Sequence, residues 1–157
     1  MHVVIPASGV MHSEGFMDFS VVNWLAVIVA AVAAWLFGAA WYMGLSKPWL
    51  RAAKLDPAAM KRSPAPFIVS FVAELIMALV MTLVVGALTG GEPNPLAGAI
   101  FGFLLWLGFV ATTLAANHRY QGFGWTLTLI DAGHWLGVLI IIGAVIGWFG
   151  APAAPAG

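Results

Sequence analysis

Four long runs of apolar side chains, scarcely interrupted by polar ones, alternate along the chain with short stretches rich in Pro, Gly and charge. The runs cover roughly residues 21–45, 66–88, 96–116 and 125–149. An apolar helix of about 20 residues crosses the hydrocarbon core of a bilayer, so the pattern predicts four transmembrane helices. Between them lie Lys47-Pro48, Gly90-Gly91-Glu92-Pro93-Asn94-Pro95 and Gln121-Gly122-Phe123-Gly124, all rich in helix breakers. The second and third connections are too short to let their helices run parallel, which predicts an all-α, integral-membrane, four-helix up-and-down bundle. Residues 1–20 are expected to form a flexible tail, 21–149 the bundle, and 150–157 (ending APAAPAG) a disordered tail. The start lacks the basic and long apolar regions of a signal peptide, and Met17, just before the first run, is a candidate true start.

Composition agrees with the pattern. Hydrophobic residues make up 62% and charged residues 8% of the 157, whereas soluble domains are about half apolar and about a quarter charged. Zero cysteines exclude disulfides and thiolate metal sites, and zero net charge gives no electrostatic case for nucleic acid. The lipid bilayer is the first expected partner, with a homo-oligomer or a larger membrane complex as further candidates. Small residues recur every fourth position, as in Ala26-Ala30-Ala34-Gly38, Gly98-Gly102, Gly133-Gly137 and Gly143-Gly147. Such stripes let helix backbones approach closely in lipid, within one chain or between copies.

The cations set an orientation. Lys47, Arg51, Lys54, Lys61 and Arg62 occupy the first connection, residues 46–65, and Arg119 stands at the third. Lys and Arg beside span ends stay cytoplasmic, so both termini are expected outside, in a multi-pass protein of a bacterial inner membrane. SKPWLRAAKL within the first connection reads as a short amphipathic segment at the inner headgroup layer.

Inside the spans a few ionisable groups stand out. With the fourth span entering from the cytoplasmic side, Asp131 lies about 9 Å and His134 about 13 Å deep, and Glu74 on the second span lies about 12 Å deep. A charge at mid-span costs about 2.5–3.5 kcal/mol on insertion scales, so all three should face the bundle interior. Trp106, Val110, Thr113 and Asn117 follow a four-three-four spacing that puts an indole, a hydroxyl and an amide on one stripe of span three, and Tyr42 with Trp41 can close the rim. The expected ligand or proton pocket therefore contains Glu74, Asp131, His134, Trp106, Thr113, Asn117 and Tyr42. If both carboxyls ionise, it invites a cation or protonated amine; otherwise it is a hydrogen-bonded lock.

No metal or cofactor is expected. Asp131-x-x-His134 has the spacing of carboxylate-bundle ligands, but one copy with one extra acid falls short of a di-iron set. Haem finds His134 as the only histidine deep in a span, with Met77 or Met81 as second ligand. No phosphate loop, serine elbow or thiol motif suggests an enzyme.

The stretches FSVVNWLAVIVAAVAAWLFGAAWY, GFLLWLGFVATTLAANHRYQG and LIDAGHWLGVLIIIGAVIGW resemble the bacterial membrane family known as domain of unknown function 1761, over residues 17–149. That resemblance implies a four-span integral membrane protein without an assigned activity, and it marks Asn23, Gly38, Trp41, Tyr42, Trp106, Asn117 and Asp131. Two functions are expected: small-solute or proton-coupled transport through an inner-half polar pocket, or a non-catalytic structural or assembly subunit of a larger membrane complex.

Overall fold

The computed structural model of the chain describes residues 22–59 and 63–150. Both tails, with Met17 among them, and Lys61 and Arg62 lie outside the described residues. The elements run α1 (Trp24–Gly44), α2 (Ser46–Ala52), α3 (Ala65–Leu88), α4 (Pro95–Leu105), a π-helical segment (Trp106–Ala111), α5 (Thr112–Tyr120) and α6 (Trp125–Phe149). Pieces α4 to α5 form one continuous helix, Pro95–Tyr120, so four helices are long and apolar enough to cross a membrane. No strand occurs among the described residues. The chain is an all-helical, multi-pass integral membrane protein.

Each start has a local cause. Asn23 and Asn94 hold extended backbone and accept from the amides of Ala26 (3.1 Å) and Ala97 (2.9 Å), capping α1 and α4. Pro95 follows its cap at the first helical position, where a missing N–H costs nothing. Gly90 and Gly91, with φ of 63° and 86°, make the left-handed turn after α3. The third span runs a turn beyond its apolar stretch because His118 and Arg119 find partners on α6.

Helix α6 is the hub, packing against α1, α3 and the whole third span. Its Val138, Ile142 and Ile146 meet Ala26, Ala30 and Ala34 of α1 and Ala78, Met81 and Val85 of α3 in one core. The small side chains of α1 let the backbones close up, the mechanism by which helices associate where lipid removes hydrophobic exclusion. The glycine stripes of α4 and α6 face one another: a Cβ on Gly98 would strike the Gly143 carbonyl, one on Gly102 the Leu139 carbonyl, and one on Gly147 the Asn94 carbonyl. These contacts draw the third span onto α6. Its contact with α3 is slight, although only six residues join the two, and it does not meet α1. Val69, Val72, Ile76 and Val80 of α3 and Leu107 and Phe109 of the third span point outward as an apolar surface suited to lipid.

Candidate functional site

At the α2 end of the bundle, α1, α2, α3 and α6 line a half-open cavity of about 730 Å³. The four helices contribute side chains at successive levels. Ser46 and Trp49 of α2 and Pro66 and Phe67 of α3 surround the mouth, while Trp35, Gly38, Glu74 and His134 line the far end. From Pro66 to Glu74 is eight residues of helix, which sets the depth at about 12 Å. Trp35 Nε1 crosses from α1 to donate to the Phe67 carbonyl (3.2 Å), and its ring meets Phe67 and Phe71 edge-on.

Glu74 is 1% exposed and His134 5% exposed. Both carry a buried polar atom without a hydrogen-bond partner, Oε2 in the carboxyl and Nδ1 in the imidazole. Aromatic rings fix the imidazole in place. Phe37 stacks nearly parallel to it at 6.4 Å, and Tyr42 and Trp135 approach to 4.8 Å. Gly38 of α1 presses against it from the fourth side: a Cβ there would sit 2.7 Å from Nε2.

Asp131 belongs to a different arrangement. Its Oδ1 accepts from Tyr42 Oη (2.9 Å) and Trp49 Nε1 (3.0 Å), and its Oδ2 lies 3.8 Å from His118 Nε2. Behind it, the Thr128 hydroxyl accepts from an Arg119 guanidinium nitrogen (2.9 Å) and pairs with His118 Nδ1 (3.1 Å). When that hydroxyl donates its hydrogen bond to Nδ1, the imidazole proton sits on Nε2, on the side of the carboxylate. Arg119 also lies over the Trp125 ring at 4.3 Å. The carboxylate thus takes hydrogen bonds from α1 and α2 and has an imidazole of α5 beside it, and it ties those helices to α6.

The seven residues expected to share one pocket are therefore divided. Glu74, His134 and Tyr42 line the cavity; Asp131 does not, and is linked to it through Tyr42 and Trp49, which do. Trp106 spends its indole N–H on the Ala132 carbonyl of α6 (2.7 Å) rather than on the cavity. Thr113 and Asn117 are exposed. The cause is the π-helical segment: its wider turn puts an extra residue into the span, and one residue rotates everything after it by about 100°, so a stripe extrapolated from Trp106 at α-helical spacing leaves the interior. The same rotation buries His118 (8% exposed) against Thr128 and Asp131 in the last turn of the span. A signal for His118 exists in the sequence: it and Thr128 stand at similar distances from the Gln121–Gly124 turn, on two helices that must run antiparallel. Among the described residues no group of three His, Asp or Glu side chains is placed to hold a metal ion.

A family model described as "protein of unknown function (DUF1761)" matches residues 25–147. The chain belongs to this family. No curated protein and no solved structure matches it. Most positions through which the chain resembles the DUF1761 family sit at helix contacts. Asn23 caps α1, Gly38 makes room for His134, Trp41 Nε1 donates to the Ile130 carbonyl (3.1 Å), Tyr42 holds Asp131, and Trp106 holds Ala132. Asn117, exposed, has no such contact.

Proposed function

We propose that this membrane protein carries out small-solute transport coupled to protons, with Glu74 and His134 as the groups that meet the solute and the proton. One observation carries this role: two buried polar atoms, Glu74 Oε2 and His134 Nδ1, have no partner and belong to residues lining one cavity. A buried unpaired polar atom costs about 1–3 kcal/mol, a cost that an apolar residue of similar size would avoid. Asp131 has its oxygens accounted for, and the other unpartnered buried atom among the described residues, Arg119 Nε, belongs to a guanidinium that is bonded to Thr128 through a second nitrogen, whereas neither Glu74 nor His134 has such a bond. A carboxyl that is neutral with a proton and anionic without one gives proton and solute a common site to compete for.

The cations support an orientation with the α2 end cytoplasmic. Lys54 Nζ donates to the Gly122 carbonyl (3.4 Å), joining the first and third connections, so that Arg51, Lys54 and Arg119 gather at one end. The inner membrane of a bacterium is the setting this orientation assumes. The second reading, a structural or assembly subunit, is favoured at Asp131 alone, whose bonds all lie within the chain.

Proteoliposomes loaded with a pH-sensitive dye and challenged with pooled small solutes should give solute-dependent pH changes in the lumen. Glu74→Gln should abolish them while the melting temperature in detergent stays within a few degrees of the parent. A parent chain that moves no protons with any solute, or an undiminished pH change in the variant, overturns the proposal.

A further inference from the structure

We infer that the cavity takes an organic ammonium ion, a protonated primary or secondary amine on an aromatic or branched apolar body. This rests on the transport reading and names the solute class of the same site.

Size argues first. Ligand pockets for organic molecules run about 300–1,000 Å³, and the cavity, at about 730 Å³, falls inside that range and far above what a bare metal ion fills. The described residues also offer no cluster of three metal-ligating side chains.

Charge argues next. Among the described residues Glu74 is the sole acidic one lining the cavity, and no Lys or Arg among them lines it. An anionic ligand would face a carboxylate with no cation to offset it, whereas an ammonium ion supplies the missing charge. Hydrogen bonding narrows the class further. The N–H groups of a primary or secondary ammonium ion suit the Glu74 carboxylate and, when neutral, the His134 imidazole, two cavity-lining groups that each hold a buried atom without a partner. A quaternary ammonium ion has no N–H and would leave both unpaired.

The walls choose the body. Trp35, Tyr42, Trp49 and Phe67 present aromatic surface from the far end to the mouth, which favours both an apolar group and a positive charge passing over ring faces. A ligand entering past Trp49 and Phe67 would set its ammonium group near Glu74 and leave its apolar body along the rings above.

Three probes sharing one ring test this on the full chain in lipid nanodiscs at neutral pH: 2-phenylethylamine, 2-phenylethanol and 3-phenylpropionate, followed by calorimetry. The amine should saturate a single site, and the alcohol and the acid should bind weaker by about tenfold or more, because a hydrogen bond to a charged group outweighs a neutral one by that margin. Glu74→Gln should bring the amine down to the alcohol. Phe67→Leu, at the exposed mouth where folding is not at stake, should weaken the amine by about threefold. Alcohol or acid binding as tightly as amine on the parent chain overturns the inference without any variant. Amine binding without an amine-driven pH change in dye-loaded proteoliposomes upholds the ligand class and removes transport; pH changes that need Glu74 yet show no preference for ammonium solutes uphold transport and remove the ligand class.

Discussion

Asp131 accepts from a phenol and an indole on two different helices and faces the imidazole of a third, so truncating it strands both donors at once. Asp131→Ala should cost about 3 kcal/mol, since the donors left behind are partly buried. Asp131→Asn keeps an oxygen for Tyr42 and Trp49 and loses mainly the pairing with His118, for which about 1 kcal/mol is expected. Thermal unfolding in detergent distinguishes the two. At Gly38 the expected damage is steric. Gly38→Ala puts a methyl against an imidazole already confined by three rings, and a loss of about 1–3 kcal/mol with displacement of His134 should follow. Gly86→Ala, whose Cβ meets nothing, is the matched control and should stay within about 1 kcal/mol of the parent. That Glu74 and His134 line one cavity was legible from the sequence, because rise per residue puts both at a similar level of their helices. The separation of Asp131 from them was not: depth carries no information on which side of a helix a neighbouring helix will stand.

Among the elements, the third span shows how a small departure from α-helical spacing redirects chemistry. Before the π-helical segment, Gly98 and Gly102 address α6; after it, His118 and Arg119 do. An unbroken α-helix could not present both sets to the same partner. Deleting Gly108 should restore regular spacing and force a choice between the Trp106–Ala132 bond and the His118–Thr128 pair, with a stability loss of about 2–4 kcal/mol in detergent unfolding. Gly108→Ala, in open space, should be tolerated. The four spans and their breakers were readable because each is set by local composition. The π-helical segment was not, since Trp106–Ala111 carries no proline or charge to announce it and is fixed by what α6 offers on either side.

For the whole molecule, the expected bundle emerged, but with unequal neighbours. Loop length predicts α3 beside the third span, and the glycine contacts instead hold that span on α6. Orientation is checked by reporters: a fluorescent protein fused after Lys54 should fold and glow in the cytoplasm, while alkaline phosphatase fused after Gly150 should be active on the other side. The opposite pattern would invert the site and put the mouth of the cavity outside. The hub position of α6 has a consequence for biogenesis. Translation delivers the other three spans to the membrane before the helix they all dock on. Until residues 125–149 leave the ribosome, the alanine face of α1, the glycine face of α4 and Glu74 have only each other, lipid or an insertion factor to lean against. A nascent chain stalled ahead of Trp125 should be open to degradation, and its rescue by a separately expressed fourth span would show that the final docking step is post-translational in nature.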